Sequence, residues 1–190
     1  MDLIPFYFLL VFLILEVVFV LFLILFFISD LISGIYGAPY VPISKELVKK
    51  ILSLGNLSED DIIYDLGSGD GRVLIEAVIS FRVKKGVGFE ISPWPYFKSR
   101  FLVRRRGLGD KIKVFKENFF KTNLNEATVV FLYLYPKLVQ KLVPKLSKEL
   151  KSGSKIICVS FGIDNPDKFG FKLIKYEKID KLTTLVYEKI

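Results

Sequence analysis

The chain has 190 residues, enough for one domain of ordinary size, and 52% of them are hydrophobic, a high share for a soluble protein of this length. It contains one cysteine and no histidine, which excludes an internal disulfide framework and removes the commonest metal ligand and general base. We therefore expect no metal site, and a reaction that needs neither a histidine nor a cluster of thiolates.

The hydrophobic excess is concentrated at the N-terminus. Residues 3–28 hold 26 consecutive positions with one charge, Glu16, and no lysine or arginine. As a helix they would reach about 39 Å, more than the roughly 30 Å of a hydrocarbon core, and they lack the basic start and small-residue cleavage site of a signal peptide. We predict a transmembrane anchor at 1–30, a juxtamembrane connector at 31–43 and a globular domain at 44–190.

Basic residues predict the orientation of this anchor. The first ones after the span are Lys45, Lys49 and Lys50, and none precedes it, which predicts a single-pass protein with its N-terminus outside and its domain on the cytoplasmic side. All 28 basic residues but only 17 of the 20 acidic ones lie beyond residue 30, a net charge of +11. Anionic lipid and nucleic acid both attract such charge; the tether favours lipid, and we expect no nucleic-acid partner.

The remainder of the chain alternates between strand and helix patterns. Ser44 can cap a helix that ends near Gly55, and a leucine-rich helical face at 138–150 contains Pro144, which is expected to kink or divide it. Further helices are predicted at 72–80 and 93–106, and strands at 62–66, 86–90, 111–115, 128–134, 155–160, 171–177 and 183–189. This order predicts an α/β fold with a mostly parallel seven-stranded sheet that ends in an antiparallel hairpin.

The turn after the first predicted strand has the composition of a cofactor loop. Its glycines occupy alternate positions, Gly67, Gly69 and Gly71, around Ser68, and glycine lets backbone approach a ligand closely. The turn does not match the dinucleotide-binding motif G-x-G-x-x-G, because the sixth position counted from Gly67 is Arg72 instead of glycine. Asp65 and Asp70 would repel a pyrophosphate but attract an ammonium or a sulfonium group, and the free N–H groups at the start of the next helix can receive a carboxylate.

Two later positions complete this site. Glu90 ends the second strand, which lies beside the first in such folds, so its carboxylate can accept hydrogen bonds from both hydroxyls of a ribose. Asn118 and Phe119 follow the third strand, where they can hydrogen-bond and cover an adenine ring. The turn and these positions together predict a binding site for a sulfonium nucleoside.

These motifs resemble those of the class I, seven-stranded S-adenosylmethionine-dependent methyltransferases, whose fold is Rossmann-like. More narrowly, residues 38–42, 64–72, 87–90 and 118–120 are similar to the small protein-lysine methyltransferases. That group includes archaeal broad-specificity enzymes and the membrane-anchored enzymes that modify the ATP synthase c-subunit and the adenine nucleotide translocator. The resemblance covers residues 38–190. It implies S-adenosylmethionine as cofactor, bound by Asp65, Gly67, Ser68, Gly69, Asp70, Glu90, Asn118 and Phe119.

The resemblance also implies a channel for the substrate amine. A lysine with a pKa of about 10.4 needs roughly 4.6 kcal/mol to become neutral at pH 7, and an aromatic, desolvating channel reduces that cost. Tyr133 and Tyr135 are the candidates for its walls, although both can equally cap a buried strand. Trp94 is a weaker candidate, because Trp94, Phe97 and Phe101 are spaced i, i+3, i+7, which favours core packing.

The sequence therefore predicts a membrane-anchored methyltransferase that modifies lysine side chains of a membrane-associated protein. Two alternatives remain. The anchor would serve a methyltransferase of lipids or lipophilic small molecules equally well, and the cofactor motifs would also occur in a catalytically inactive cofactor-binding membrane protein.

Overall fold

The computed structural model of the protein describes residues 4–36 and 41–190 and contains one seven-stranded sheet. Its strands are β1 (Ile62–Leu66), β2 (Lys85–Phe89), β3 (Ile112–Phe115), β4 (Val129–Leu132), β5 (Lys155–Val159), β6 (Phe171–Ile179) and β7 (Leu182–Lys189). The spatial order is β3-β2-β1-β4-β5-β7-β6. β1 to β5 pair in parallel, and β7 pairs antiparallel with both β5 and β6. The predicted mostly parallel sheet with a terminal hairpin is confirmed.

Five α-helices surround or extend the sheet: α1 (Ile4–Tyr36), α2 (Lys45–Leu54), α3 (Arg72–Ser80), α4 (Pro93–Arg105) and α5 (Pro136–Glu149). Short 3₁₀ helices lie at Phe119–Lys121 and Pro166–Phe169. The hydroxyl oxygen of Ser44 accepts a hydrogen bond from the Leu47 N–H, 3.3 Å away, and so caps α2 as expected. The prediction that Pro144 could divide α5 is wrong: the helix is continuous. Buried Val139 and Leu146, on either side of the proline, hold both parts against the sheet.

Alternation of side chains along the strands divides the core into two layers. Ile63 of β1 faces the layer that contains α2 and α3, whereas Tyr64 faces the layer covered by α5. The same alternation places Phe131 of β4 in the first layer and Leu132 in the second. The sheet is therefore covered on both faces, and ligands have access to it at the ends of the strands.

Helix α1 differs from the others because almost all side chains of residues 4–28 are exposed. Its segment Ile4–Ser29 has a mean hydropathy of 3.3 and is long and apolar enough to cross a membrane by length and composition. Residues 4–28 are exposed or half-buried, and Ser29 is buried. The helix continues past residue 30 to Tyr36, into the stretch predicted as connector. It touches the domain at α4, where the rings of Phe22 and Trp94 meet edge to face with their centroids 5.1 Å apart.

One prediction about α4 is wrong. Phe97 and Phe101 are not core residues, because 53% and 61% of their surfaces are exposed. The buried residues of this helix are Pro93, Pro95, Ser99 and Val103. Spacing at i, i+3, i+7 defines one face of a helix, but it does not determine which face turns toward the sheet.

Candidate active site

A cavity of about 300 Å³ lies at the carboxyl ends of β1, β2 and β4, at the lower end of the range found for ligand pockets. The structure brings ten of the sequence-predicted site residues to its walls, whereas Trp94, the weaker candidate for the channel, is not among the described residues that line it. The ten residues are Asp65, Gly67, Ser68, Gly69, Asp70, Glu90, Asn118, Phe119, Tyr133 and Tyr135. This convergence follows from the sheet order, since β2 and β4 flank β1 and open α/β sheets bind ligands beyond the carboxyl ends of their strands.

The glycine turn after β1 is held by backbone hydrogen bonds. The N–H groups of Gly67 and Ser68 both donate to the Phe89 carbonyl oxygen, at 2.9 and 3.0 Å. Gly67 and Gly69 have φ angles of +91° and +53°, in the left-handed region where a side chain is strained. Glycine is therefore required by the conformation of the turn, and its bare backbone forms one wall of the cavity.

Glu90 connects this turn to the segment that follows β2. One of its carboxylate oxygens accepts a hydrogen bond from the Gly69 N–H at 2.8 Å and the other accepts from the Ser92 N–H at 2.7 Å. Desolvation by burial raises the pKa of Glu90, and the hydrogen bonds from Ser92 and Gly69 oppose that rise. The Ser92 hydroxyl and the Ile91 N–H also hydrogen-bond to this carboxylate, and Glu90 lines the cavity, where a ligand hydroxyl can reach it.

The two aspartates of the turn have different environments. Asp70 is paired with the Arg72 guanidinium at 2.7 Å and with the Lys98 ammonium at 3.2 Å, so its charge is compensated within the protein. Asp65 is buried, and no basic side chain of the described residues lies within salt-bridge distance of it. Burial, and then repulsion from Glu90 and Asp70, raise the pKa of Asp65 well above its ordinary value. The cavity therefore has an uncompensated acidic interior.

The Ser68 hydroxyl is a second feature that fits a polar ligand. Its hydroxyl oxygen is buried and has no hydrogen-bond partner among the described residues, and such groups are rare because burial without a partner is costly. A Cβ atom on Gly88 would lie 2.7 Å from this oxygen, so glycine at that position leaves room for the serine. A polar, cationic ligand in the cavity would satisfy the hydroxyl and neutralise Asp65.

Asn118 and Phe119 lie after β3, on the side of the cavity away from β4. The Asn118 side-chain oxygen accepts a hydrogen bond from the Phe120 N–H at 3.0 Å, which begins the short 3₁₀ helix. Its amide NH₂ donates to no described residue and can serve a ligand. The rings of Phe119 and Phe120 are tilted against each other, 4.8 Å apart, and form an apolar wall.

The outer part of the cavity is aromatic. Tyr133 is half-buried, Tyr135 is 49% exposed, and Phe161 and Ser160 stand beside them. Sequence reasoning missed Ser160 and Phe161. They directly follow β5, the neighbour of β4. Because ligands bind beyond the carboxyl ends of parallel strands, the predicted end of β5 could have indicated both residues.

Together, the parallel sheet with its antiparallel β6–β7 hairpin, the glycine turn after β1 and the acidic residue after β2 define a class I S-adenosylmethionine-dependent methyltransferase. The chain superposes with a TM-score of 0.71 on a solved RNA methyltransferase from Salinibacter ruber in complex with S-adenosyl-L-homocysteine. The two are 33% identical, and the match covers 78% of this chain and 93% of that chain.

A family model narrows this class. Residues 65–168 match the ANTKMT methyltransferase domain, and the chain belongs to that family. It is 40% identical over 125 residues to a protein-lysine N-methyltransferase of Saccharolobus islandicus, covering 66% of this chain and 78% of that protein. It is 32% identical over 130 residues to the ATP synthase c-subunit lysine N-methyltransferase of Xenopus laevis, covering 67% of this chain.

A third relative is the adenine nucleotide translocase lysine N-methyltransferase of Mus musculus, 30% identical over 123 residues and matched over 65% of this chain. The chain spans 55% of the length of the Xenopus enzyme and 53% of the length of the Mus enzyme. The cofactor of this family is S-adenosylmethionine, and the glycine turn, the acidic interior and the orphaned Ser68 hydroxyl fit its ammonium and sulfonium groups.

Proposed function

We propose that this protein is a membrane-anchored protein-lysine N-methyltransferase whose catalytic domain faces the cytoplasm. The main support for the proposal is that the residues lining the cavity change from acidic in its interior to aromatic at its mouth. Asp65 and Glu90 make its interior acidic, whereas Tyr133, Tyr135 and Phe161 make its mouth aromatic. The first environment suits a cationic cofactor, and the second suits a long alkyl chain that ends in an amine. The relatives named as lysine methyltransferases support the same activity.

The cofactor-binding residues have separate roles in this proposal. Asp65 balances the charge of the cofactor, Glu90 accepts from its ribose hydroxyls, and Asn118 and Phe119 hold its adenine. Gly67, Ser68 and Gly69 present backbone to it, while Asp70 positions the turn through its ion pair with Arg72. When bound, S-adenosylmethionine supplies an electrophilic methyl group on a sulfonium.

The outer residues prepare the nucleophile. Only a neutral amine can attack, and for a lysine in water neutrality at pH 7 costs roughly 4.6 kcal/mol. The apolar walls around Tyr133 and Tyr135 reduce the contact of the amine with water, which disfavours its charged form and releases the proton to solvent. The neutral amine could then take the methyl group as the bond between methyl and sulfur breaks, and a neutral thioether would leave. The aromatic faces also attract cationic groups. Positioning in line with the methyl group supplies the rest of the acceleration.

We assign the anchor to residues 1–30, the connector to 31–43 and the domain to 44–190. The anchor contains most of α1, which runs on to Tyr36 in the connector. A core helix of a soluble protein would be mostly buried, but residues 4–28 of the apolar segment are exposed or half-buried. None of the described residues that line the cavity belongs to α1. We therefore assign it a tethering role that places the domain near lysines of membrane-associated proteins.

The test is to incubate the full chain in phospholipid vesicles with radiolabelled cofactor and with three substrates in parallel: membrane proteins, total lipid and total RNA. The RNA arm is included because the Salinibacter ruber structure is named as an RNA methyltransferase. We expect label in protein, recovered as methyllysine after hydrolysis. Label in lipid or in RNA would replace the proposed substrate, and no transfer despite tight cofactor binding would identify an inactive binder.

Removal of residues 1–30 tests the role of the anchor. Because α1 contributes no described residue to the cavity, the truncated domain should still bind cofactor and methylate a soluble lysine peptide. Its activity on membrane-embedded protein should fall. A folded domain that binds cofactor but methylates no substrate would show that α1 does more than tether.

A further inference from the structure

Helix α4 carries an exposed surface that the catalytic site does not use. Trp94, Phe97 and Phe101 lie on one side of the helix, and Arg104 and Arg105 continue that side one turn later. Phe97 and Phe101 are mostly exposed, and both arginines are exposed without a salt bridge to any described residue. We call these five residues the α4 face. Two large apolar rings beside two free cations are unusual on a surface bathed only by water.

The start of this face is joined to the end of the apolar span. The Trp94 N–H donates to the Ser29 hydroxyl oxygen at 2.8 Å, and the Trp94 ring meets Phe22 edge to face. Ser92, the N-cap residue of α4, makes no side-chain capping bond, so Ser29 supplies the acceptor for the first turn. Ser29 is also the last residue of the apolar segment Ile4–Ser29. Trp94 therefore lies at the level where α1 would leave the hydrocarbon.

The residue types of the α4 face are those found at the interface between a membrane and water. Tryptophan and other amphipathic aromatic side chains collect at membrane–water interfaces. An amphipathic helix with aromatic residues and cations lies in the plane of an anionic membrane surface, with its rings in the acyl boundary and its charges among the headgroups. A water-soluble protein partner would explain the two phenylalanines, but it would not explain why the face begins at the end of the span.

We propose that the α4 face rests on an anionic lipid bilayer and is a second membrane contact of this protein, in addition to α1. The proposal depends on the anchor assigned to α1 above. The contact has a consequence for the site, because α4 begins three residues after Glu90 and Ile91 and Ser92 line the cavity. Docking of the face therefore holds one wall of the cavity beside the bilayer.

The chain offers a built-in probe, since Trp94 is its only tryptophan. Full-length protein is reconstituted in vesicles of phosphatidylcholine and phosphatidylglycerol, with or without brominated acyl chains that quench tryptophan on contact. The double variant Trp94→Phe/Phe101→Trp reports from the middle of the face. The control, Trp94→Phe/Tyr176→Trp, reports from exposed β6 at the far edge of the sheet.

We expect bromolipid to quench the tryptophan at position 101 several-fold more than the one at position 176. Equal, weak quenching at both positions, in protein that floats with vesicles after an alkaline wash, would overturn the α4 contact and leave the anchor intact. Protein that does not float would overturn the anchor and, with it, this inference. Weak quenching at position 101 that becomes strong when the protein is diluted in the bilayer would identify a second copy as the occupant and overturn lipid in that role.

A charge variant tests the lipid class. In the reporter with tryptophan at position 101, Arg104→Glu/Arg105→Glu should reduce quenching in anionic vesicles and have little effect in pure phosphatidylcholine. Each cation near an anionic leaflet changes the ratio of docked to undocked domain by about fivefold. Lys172→Glu/Lys175→Glu, on exposed positions of β6, is the matched control. Loss of quenching that is equal in both lipids, or equal in the control, would overturn the electrostatic part of the proposal.

Discussion

The inner and outer halves of the cavity are built differently. The inner half consists of backbone and buried carboxylates. The N–H groups of Gly67 and Ser68 donate to the Phe89 carbonyl oxygen and the Gly69 N–H donates to the Glu90 carboxylate, at 2.8 to 3.0 Å. The outer half consists of aromatic side chains on the segments that follow β4 and β5, and Tyr135 and Phe161 remain 49% and 40% exposed. The inner half is thus held by a fixed network of hydrogen bonds, whereas the outer half is less constrained.

The largest effect is expected for Glu90→Ala, which removes a carboxylate from the most constrained point of the inner half. Two charge-assisted hydrogen bonds to ligand hydroxyls, each worth about 1.5 kcal/mol, correspond to a loss of about 150-fold in cofactor affinity. Isothermal calorimetry on the full chain measures it, with exposed Glu177→Ala as control. An unchanged dissociation constant would mean that the inner half does not hold the cofactor.

Asp65→Asn should change cofactor affinity and the stability of the fold in opposite directions. It keeps the shape of the side chain but removes the charge, and cofactor affinity should fall by about tenfold. Because burial raises the pKa of Asp65, the ionised carboxylate destabilises the free domain near neutral pH. The variant should therefore unfold at a higher temperature, by about 2–4 °C for each kcal/mol relieved.

The gain in stability should be confined to one range of pH. It should be present near pH 7 and disappear as the pH falls toward 3.8, the ordinary value for Asp65, where the native aspartate is itself neutral. Thermal unfolding of the full chain at both pH values, with exposed Asp110→Asn as control, measures it. A lower unfolding temperature at pH 7 would show that Asp65 is already compensated in the protein.

Acidification should weaken cofactor binding in the unmodified protein. Burial raises the pKa values of Asp65 and Glu90, so both groups take up protons at a higher pH than ordinary carboxyls. A cationic ligand favours their ionised forms, and affinity should fall severalfold as the pH is lowered from about 7 to about 5. Calorimetry in two buffers of different ionisation enthalpy would detect the protons released on binding. Affinity independent of pH would contradict an acidic interior.

The smallest effect is expected in the outer half. Tyr135→Ala removes one partly exposed ring, and a contact worth about 0.5–1 kcal/mol predicts a loss of about twofold to fivefold in kcat/KM for a lysine peptide. Cofactor affinity should not change, and exposed Tyr176→Ala is the control. If Tyr135→Ala weakened cofactor binding as much as Asp65→Asn, the division of the cavity into two halves would be wrong.

Much of the inner half could be predicted from the sequence because its geometry is local. Glycines at alternate positions, a preceding strand and a following helix leave few conformations for the turn, and Gly67 and Gly69 adopt the left-handed angles that such a turn requires. Glu90 could be assigned to the same site because β1 and β2 are consecutive strands and neighbours in the sheet.

The sequence by itself thus determined the order of the elements, the glycine turn, the acidic residues and the apolar helix at the N-terminus, since each depends on spacing along a short stretch of chain. Only the tertiary structure decided which carboxylate stays uncompensated, because the Lys98 partner of Asp70 comes from another helix. It also decided that Phe97 and Phe101 face outward and that Ser160 and Phe161 join the cavity. These outcomes depend on how α4 and β5 pack against the sheet, and packing between distant segments leaves no local pattern in the sequence.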